Sequence, residues 1–274
     1  AIGLNSTIFN AGRALGPAVA GLAVATTGEA GAFFVNGLTF IAVIAGLLMM
    51  RLPPRPAPPR QSRLGAHMLE GVRYIIGHRT VMVLMSMVAV SAFLSMPYTT
   101  LLPVFAKKVL RHSAQPLLAV MCNGAGALFD CREPDALTYG LLMAATGMGA
   151  MLGALFVASL PAAAQRGRLL TMGNLAFPAL LLGLAISPSF IVSALLLIAI
   201  GFTFVTQNAL INTLIQVTVP DELRGRVMSF YSLTFQGMMR LGGMQAGLAG
   251  QFLGAPLAVG LGAAISLVYG AIVA

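Results

Sequence analysis

This chain carries very little charge. Only 8% of its 274 residues are Asp, Glu, Lys or Arg, against about a quarter in soluble globular proteins. That excludes an ordinary water-soluble domain. Acids are the scarcest: there are 7, each in or beside a loop, so no carboxylate inside an apolar run can carry a proton or pair with a cation there. The 3 histidines lie in loops without nucleophile partners, and no phosphate-binding glycine loop occurs. No catalytic constellation remains, and the chain is not expected to be an enzyme. The 2 cysteines, Cys122 and Cys131, do not combine with His112 and Asp130 into a ligand spacing, so neither a metal site nor a cofactor is expected. No secretory signal peptide is read at the start, where the first segment is too polar and too regularly spaced in glycine. The net charge of +9 does not argue for nucleic acid, because the basic residues lie between apolar runs and not on one face.

What the chain has is hydrophobic residues, at 58%, and 31 glycines. The apolar runs are each near the ~20 residues that cross a bilayer. Eight spans are expected, near 3–25, 31–50, 80–103, 137–160, 169–187, 189–216, 224–250 and 256–274. The expected fold is all-α and membrane-embedded. The last pair of runs repeats the first: Ala20-Gly21-Leu22-Ala23 recurs as Ala246-Gly247-Leu248-Ala249, and in that register Ser6 meets Ser232 and Gly16 meets Gly242. Such a repeat marks a transporter built from two similar halves.

Two breaks are long. Residues 51–79 open on Arg51-Leu52-Pro53-Pro54 and continue proline-rich, as a stiff extended linker. Met68, Leu69, Val72, Ile75 and Ile76 then recur at helical spacing. That predicts either a short amphipathic helix on the membrane surface or an extension of the next span. Alternate loops hold the arginines Arg51 to Arg79, Arg166 and Arg168, then Arg224 and Arg226. The positive-inside rule places these loops, and residue 1, in the cytoplasm and residues 107–136 outside. In the outward loop Cys122 and Cys131 are either a disulfide or two free thiols.

Two arginines fall inside spans, Arg13 and Arg240, at nearly equal depth under the repeat. An arginine at a helix centre costs about 2.5–3.5 kcal/mol on insertion scales and so faces protein or a watery cavity. The readings are a partner elsewhere in the protein, snorkelling to headgroups, water, or an anionic substrate. In the span 189–216, Thr206, Gln207, Asn208, Asn212 and Gln216 are polar, and Asn208, Asn212 and Gln216 share one helix face. A substrate path and bonding between helices explain them equally well. Tyr98, Phe93 and Phe204 are candidates to stack on an aromatic compound, packing being the plainer role.

The first span reads Gly3, Gly12, Gly16-Pro17 and Ala20-Gly21. Small residues at this spacing open a groove for a neighbouring backbone, and the proline permits a bend. The full spacing resembles the antiporter motif in the fifth helix of major facilitator superfamily exporters, with Ala20 where the first glycine of the terminal pair is usual. Pro220-Asp221-Glu222-Leu223-Arg224-Gly225-Arg226 reads physically as a helix start, with Asp221 as N-cap, Glu222 at the positive dipole end, and arginines at the headgroups. It also resembles the loop before helix eleven in the branch that includes siderophore exporters and macrolide efflux pumps. Arg51-Leu52-Pro53-Pro54, and Met96-Pro97-Tyr98 before Leu102-Pro103-Val104-Phe105, are similar to that branch as well. A weak second copy of the family's cytoplasmic loop motif is Gln165-Arg166-Gly167-Arg168, without the usual aspartate.

The resemblance implies helices five to twelve of twelve, with helices one to four of the same protein as missing partners. It implies 1–50 as the last two helices of the N-terminal half, 51–79 as a cytoplasmic linker and 80–274 as a six-helix C-terminal half. The function implied is export of a small amphipathic compound, a drug or siderophore, by proton antiport with alternating access in the cell (inner) membrane. A non-transporting scaffold or sensor on the same fold is the alternative, marked by a dry, fully packed interior.

Overall fold

The computed structural model describes residues 30–31, 33–49, 64–122, 134–161 and 165–273. Every regular element among them is helical. We label these α1 (Phe33–Met49), α2 (Leu64–Gly77), α3 (Arg79–Val109), α4 (Arg111–Cys122), α5 (Pro134–Ser159), α6 (Arg166–Ile186), α7 (Phe190–Thr218), α8 (Asp221–Leu253) and α9 (Ala255–Val273). Five of these, α3, α5, α6, α7 and α9, are long and apolar enough to cross a membrane. Of the other expected spans, α1 is apolar but shorter, α8 is long but polar, and 3–25 lies outside the described residues.

The bundle is apolar on the outside. On α9, Leu257, Leu261, Ile265, Val268 and Ile272 are exposed, while Ala258, Gly262, Ala263, Ser266 and Gly270 face inward. A helix that turns its large apolar side chains out and its small ones in is built for lipid, where close approach of backbones replaces hydrophobic burial. The α5–α7 crossing shows this best. Gly149 and Gly153 of α5 lie on the backbone carbonyls of Ile198 and Phe202, and Gly201 of α7 lies on that of Thr146.

Helix α3 is not a plain α-helix. It winds as a π-helix over Ser91–Ser95 and again over Phe105–Val109. Pro97 has no N–H to give the Phe93 carbonyl and its ring crowds that carbonyl. The chain widens upstream, where Met96 N–H bonds Ser91 O at 2.9 Å. Gly242 of α8 packs against the same Phe93 carbonyl and Pro97.

The linker helix is real and separate. α2 ends at Gly77, and extended His78 (φ −117°, ψ 99°) breaks it from α3, so it is not an extension of the next span. It packs on α8, with Gly71 against Phe230.

Candidate functional site

Two apolar cores are stacked along the bundle. One gathers Leu102, Phe105, Leu142, Phe177, Leu197 and Ile200. The other gathers Val81, Leu84, Val88, Leu170, Ile211 and Val227. Between them, at one depth on four helices, runs a polar layer: Ser91 and Ser95 on α3, Asn174 on α6, Gln207 on α7 and Ser266 on α9, all buried. Gln207 Nε2 donates to Asn174 Oδ1 at 3.1 Å. Ser95 Oγ donates to Ser266 Oγ at 2.8 Å. Just beyond, Ser86 bonds the Tyr269 hydroxyl. Ser91 Oγ and Gln207 Oε1 have no partner, and both residues line a cavity of about 10 Å³. That is close to the room for one water.

The polar face expected on α7 is only partly open. Asn208 and Asn212 are half-buried and Gln216 is exposed. Asn208 Nδ2 turns back to Phe204 O at 3.0 Å. Asn212 Oδ1 accepts from Gln216 Nε2, and the Asn212 side chain also bonds Tyr231 of α8. The first two bonds stay within α7, and the contact with Tyr231 crosses to a neighbouring helix. Tyr98 is buried in the first core. Phe204 is buried too, its ring centroid 5.4 Å from that of Phe177 and 6.4 Å from that of Phe235.

Helix α8 buries only Val227, Gly242 and Ala246 along its length. The opposite face carries Ser229, Ser232, Gln236 and Arg240, all exposed. These positions recur at helical spacing and form one stripe. Arg240 has no carboxylate partner among the described residues. About 20 Å of helix separates it from Leu253, so it stands deep in the helix. Arg13 and the motif Gly3, Gly12, Gly16, Pro17, Ala20 and Gly21 lie outside the described residues.

At the start of α8 the structure corrects one expectation. Asp221 is not the N-cap. Pro220 holds that position (φ −54°, ψ 149°) without a side-chain cap, and Asp221 begins the first turn. The proline is preset for the turn and displaces the capping role one residue upstream. The Asp221 carboxylate instead pairs with Arg224 at 2.6 Å. Arg224 Nε also donates to Gln216 O at 2.9 Å, satisfying a carbonyl near the end of α7. Arg226 reaches Glu70 of α2. The two arginines, expected at headgroups, thus clasp α7, α8 and the linker helix together. Glu222 sits exposed in the first turn, where its charge suits the dipole. Cys122 ends α4, and Cys131 lies outside the described residues.

Sequence reasoning noted Gln207 but missed its partner Asn174. The only signal was an amide standing alone in an apolar run, between Gly173 and Leu175.

An apolar exterior, glycine-mediated crossings and a buried polar layer define a multi-pass helical membrane protein. A model described as the Major Facilitator Superfamily matches residues 1–244, and the chain belongs to that family. It is 26% identical over 254 residues to the multidrug efflux pump Tap of Mycolicibacterium fortuitum, covering 92% of this chain and 54% of that protein. The chain therefore spans about half the length of that curated relative. No solved structure matches it significantly.

Proposed function

We propose that this chain is the larger part of an exporter that carries small amphipathic compounds, drugs or siderophores, out across the cell membrane by proton-coupled alternating access. The observation that carries this reading is the stripe on α8. Ser229, Ser232, Gln236 and Arg240 point away from their own bundle, where the described spans α5, α7 and α9 turn large apolar side chains outward. Hydrocarbon does not tolerate an arginine and a glutamine in that position. The stripe fits water or another protein surface, which is what one wall of a path between two halves requires. The relative's name as a multidrug efflux pump supports export.

In this reading residues 80–274 form the C-terminal half and 51–79 the linker. Arg240 attracts anionic groups of the substrate, and Arg13 falls one residue from its counterpart in the sequence repeat. The glycine and proline motif of 3–21 forms a seam against a neighbouring helix. The described acids of the long helices, Asp135, Asp221 and Glu222, sit only in their first turns, so in this reading the proton-carrying residue belongs to another part of the longer protein. The polar layer inside the bundle speaks against the fully dry interior of a pure scaffold.

The test is efflux of a fluorescent cationic and a fluorescent anionic drug from proteoliposomes holding the full-length protein, with Arg240→Ala beside wild type. Wild-type export that collapses with the proton gradient, and a larger loss of anionic than cationic drug export in the variant, support the reading. Absence of any gradient-dependent export by well-inserted wild type refutes it.

A further inference from the structure

A second cavity lies away from the outward stripe. It is a crevice of about 490 Å³ among the ends of α3, α6, α7 and α9, within the ~300–1,000 Å³ of ligand pockets. We propose that it binds an anionic phospholipid, with the phosphate on Arg79 and one acyl chain along Val83, Leu84, Met87 and Leu214.

The mouth is positive and unneutralised. Arg79 and Thr80 begin α3, and Gly167 lies in the first turn of α6, so two helix N-termini border the opening. Neither has a side-chain cap: His78 and Gln165 hold the cap positions without making the bond, and His78 Nδ1 is engaged with Tyr74 O at 2.9 Å. The first N–H groups of a helix have no partner within it and carry its positive partial charge. Among the described residues no Asp or Glu lines the crevice, and Arg79 pairs with no carboxylate. An anion answers all three features at once, and a basic pocket between membrane helices suits a lipid head group.

The interior is suited to hydrocarbon. Below the mouth the walls, Thr171 apart, are aliphatic or thioether side chains, and Leu84 and Met87 are 4% and 5% exposed. A free phosphate leaves that length unused. The floor is Asn174, held through Gln207 to the polar layer. Met87 and Asn174 also border the small cavity with its unpartnered Ser91 and Gln207 oxygens, so the far end of the crevice abuts space for water.

The experiment is native mass spectrometry of the full-length protein in detergent, titrated separately with phosphatidylglycerol, phosphatidylcholine and inorganic phosphate. Arg79→Gln and Val83→Trp are compared with wild type. The first removes the charge, and the second fills the crevice without changing charge. The expected result is a phosphatidylglycerol adduct at concentrations where phosphatidylcholine gives none, weakened about tenfold or more by either substitution. Equal binding of the two lipids, or phosphatidylglycerol binding unchanged in both variants, overturns the site. Phosphate binding as tightly as phosphatidylglycerol and indifferent to Val83→Trp overturns the acyl-chain placement. If Val83→Trp does not fold, Thr171→Cys in the crevice wall gives a second readout. Phosphatidylglycerol, and not phosphatidylcholine, should slow its maleimide labelling about tenfold, and equal rates overturn the proposal. None of these measurements depends on transport.

Discussion

Replacing Gly149 by alanine should separate α5 from α7 and destabilise the bundle. A methyl carbon at Gly149 would lie 2.6 Å from the Ile198 carbonyl carbon and closer still to its oxygen, where 3.4–4 Å is ordinary contact. The obstacle is backbone, which cannot rotate away as a side chain can. The helices must therefore part by roughly 1–1.5 Å. The same crossing is held by Gly153, whose added carbon would meet Phe202 O at 2.6 Å, and by Gly201 from the other side, so the gap extends along the contact. A gap of 0.5–1 Å forfeits about a quarter to a half of the dispersion well at each atom pair, and overpacking costs about 1–3 kcal/mol. Alanine returns up to about 1 kcal/mol of helix propensity. The net loss expected is about 1–2 kcal/mol, or roughly 5–30-fold in the folded population. Reversible unfolding of the full-length protein in detergent measures it, with Gly225→Ala as reference because nothing lies within 4 Å of that position. Equal stability of the two variants refutes the close-packed crossing.

Three other outcomes follow from particular contacts. Gln207→Leu should cost about 1–3 kcal/mol by stranding the Asn174 amide, and adding Asn174→Leu should recover part of that loss; strictly additive losses in thermal unfolding would contradict the pairing. Glu70→Gln should loosen α2 from α8 with under about 1 kcal/mol change in stability, since the pair with Arg226 is exposed; a spin label on α2 with unchanged mobility would dismiss the clasp. Peptides from unreduced protein should contain Cys122 bonded to Cys131, as fits an outward loop in an oxidising compartment, and two free thiols by mass spectrometry would count against it.

Length and apolarity made the helices legible. The run 189–216 became α7 and 169–187 became α6 with small changes of boundary, because a run near ~20 apolar residues has few other outcomes. The cap at the start of α8 was misread for a local reason. Asp221 has the right chemistry, but the proline before it already holds the dihedrals of an N-cap, and a capping side chain needs the position as well as the oxygen. The contacts of Arg224 and Arg226 were hidden for a different reason. Their partners, Gln216 and Glu70, are a helix end and a linker residue, brought near only by the packing of α2 and α7 against α8.

The polar layer was the hardest to foresee, and its position carries the most physics. Each of its residues is unremarkable along its own helix: a serine, an amide, a serine near the end. Only the register of four helices sets Ser91, Ser95, Asn174, Gln207 and Ser266 at one depth. At that depth α3 also leaves the α-helical pattern, over Ser91–Ser95. A bundle bends with least loss where its cross-section holds few apolar contacts, because hydrogen bonds of about 0.5–1.5 kcal/mol each exchange partners more readily than close-packed side chains separate. Apolar cores above and below move as blocks. The weakest plane of this bundle is therefore its polar layer. A variant that removes its serine pair, Ser95→Ala with Ser266→Ala, should leave the fold intact and stiffen α3, read as slower hydrogen exchange at Met96 to Leu102. Faster exchange there would show that the serines brace the helix and do not mark its hinge.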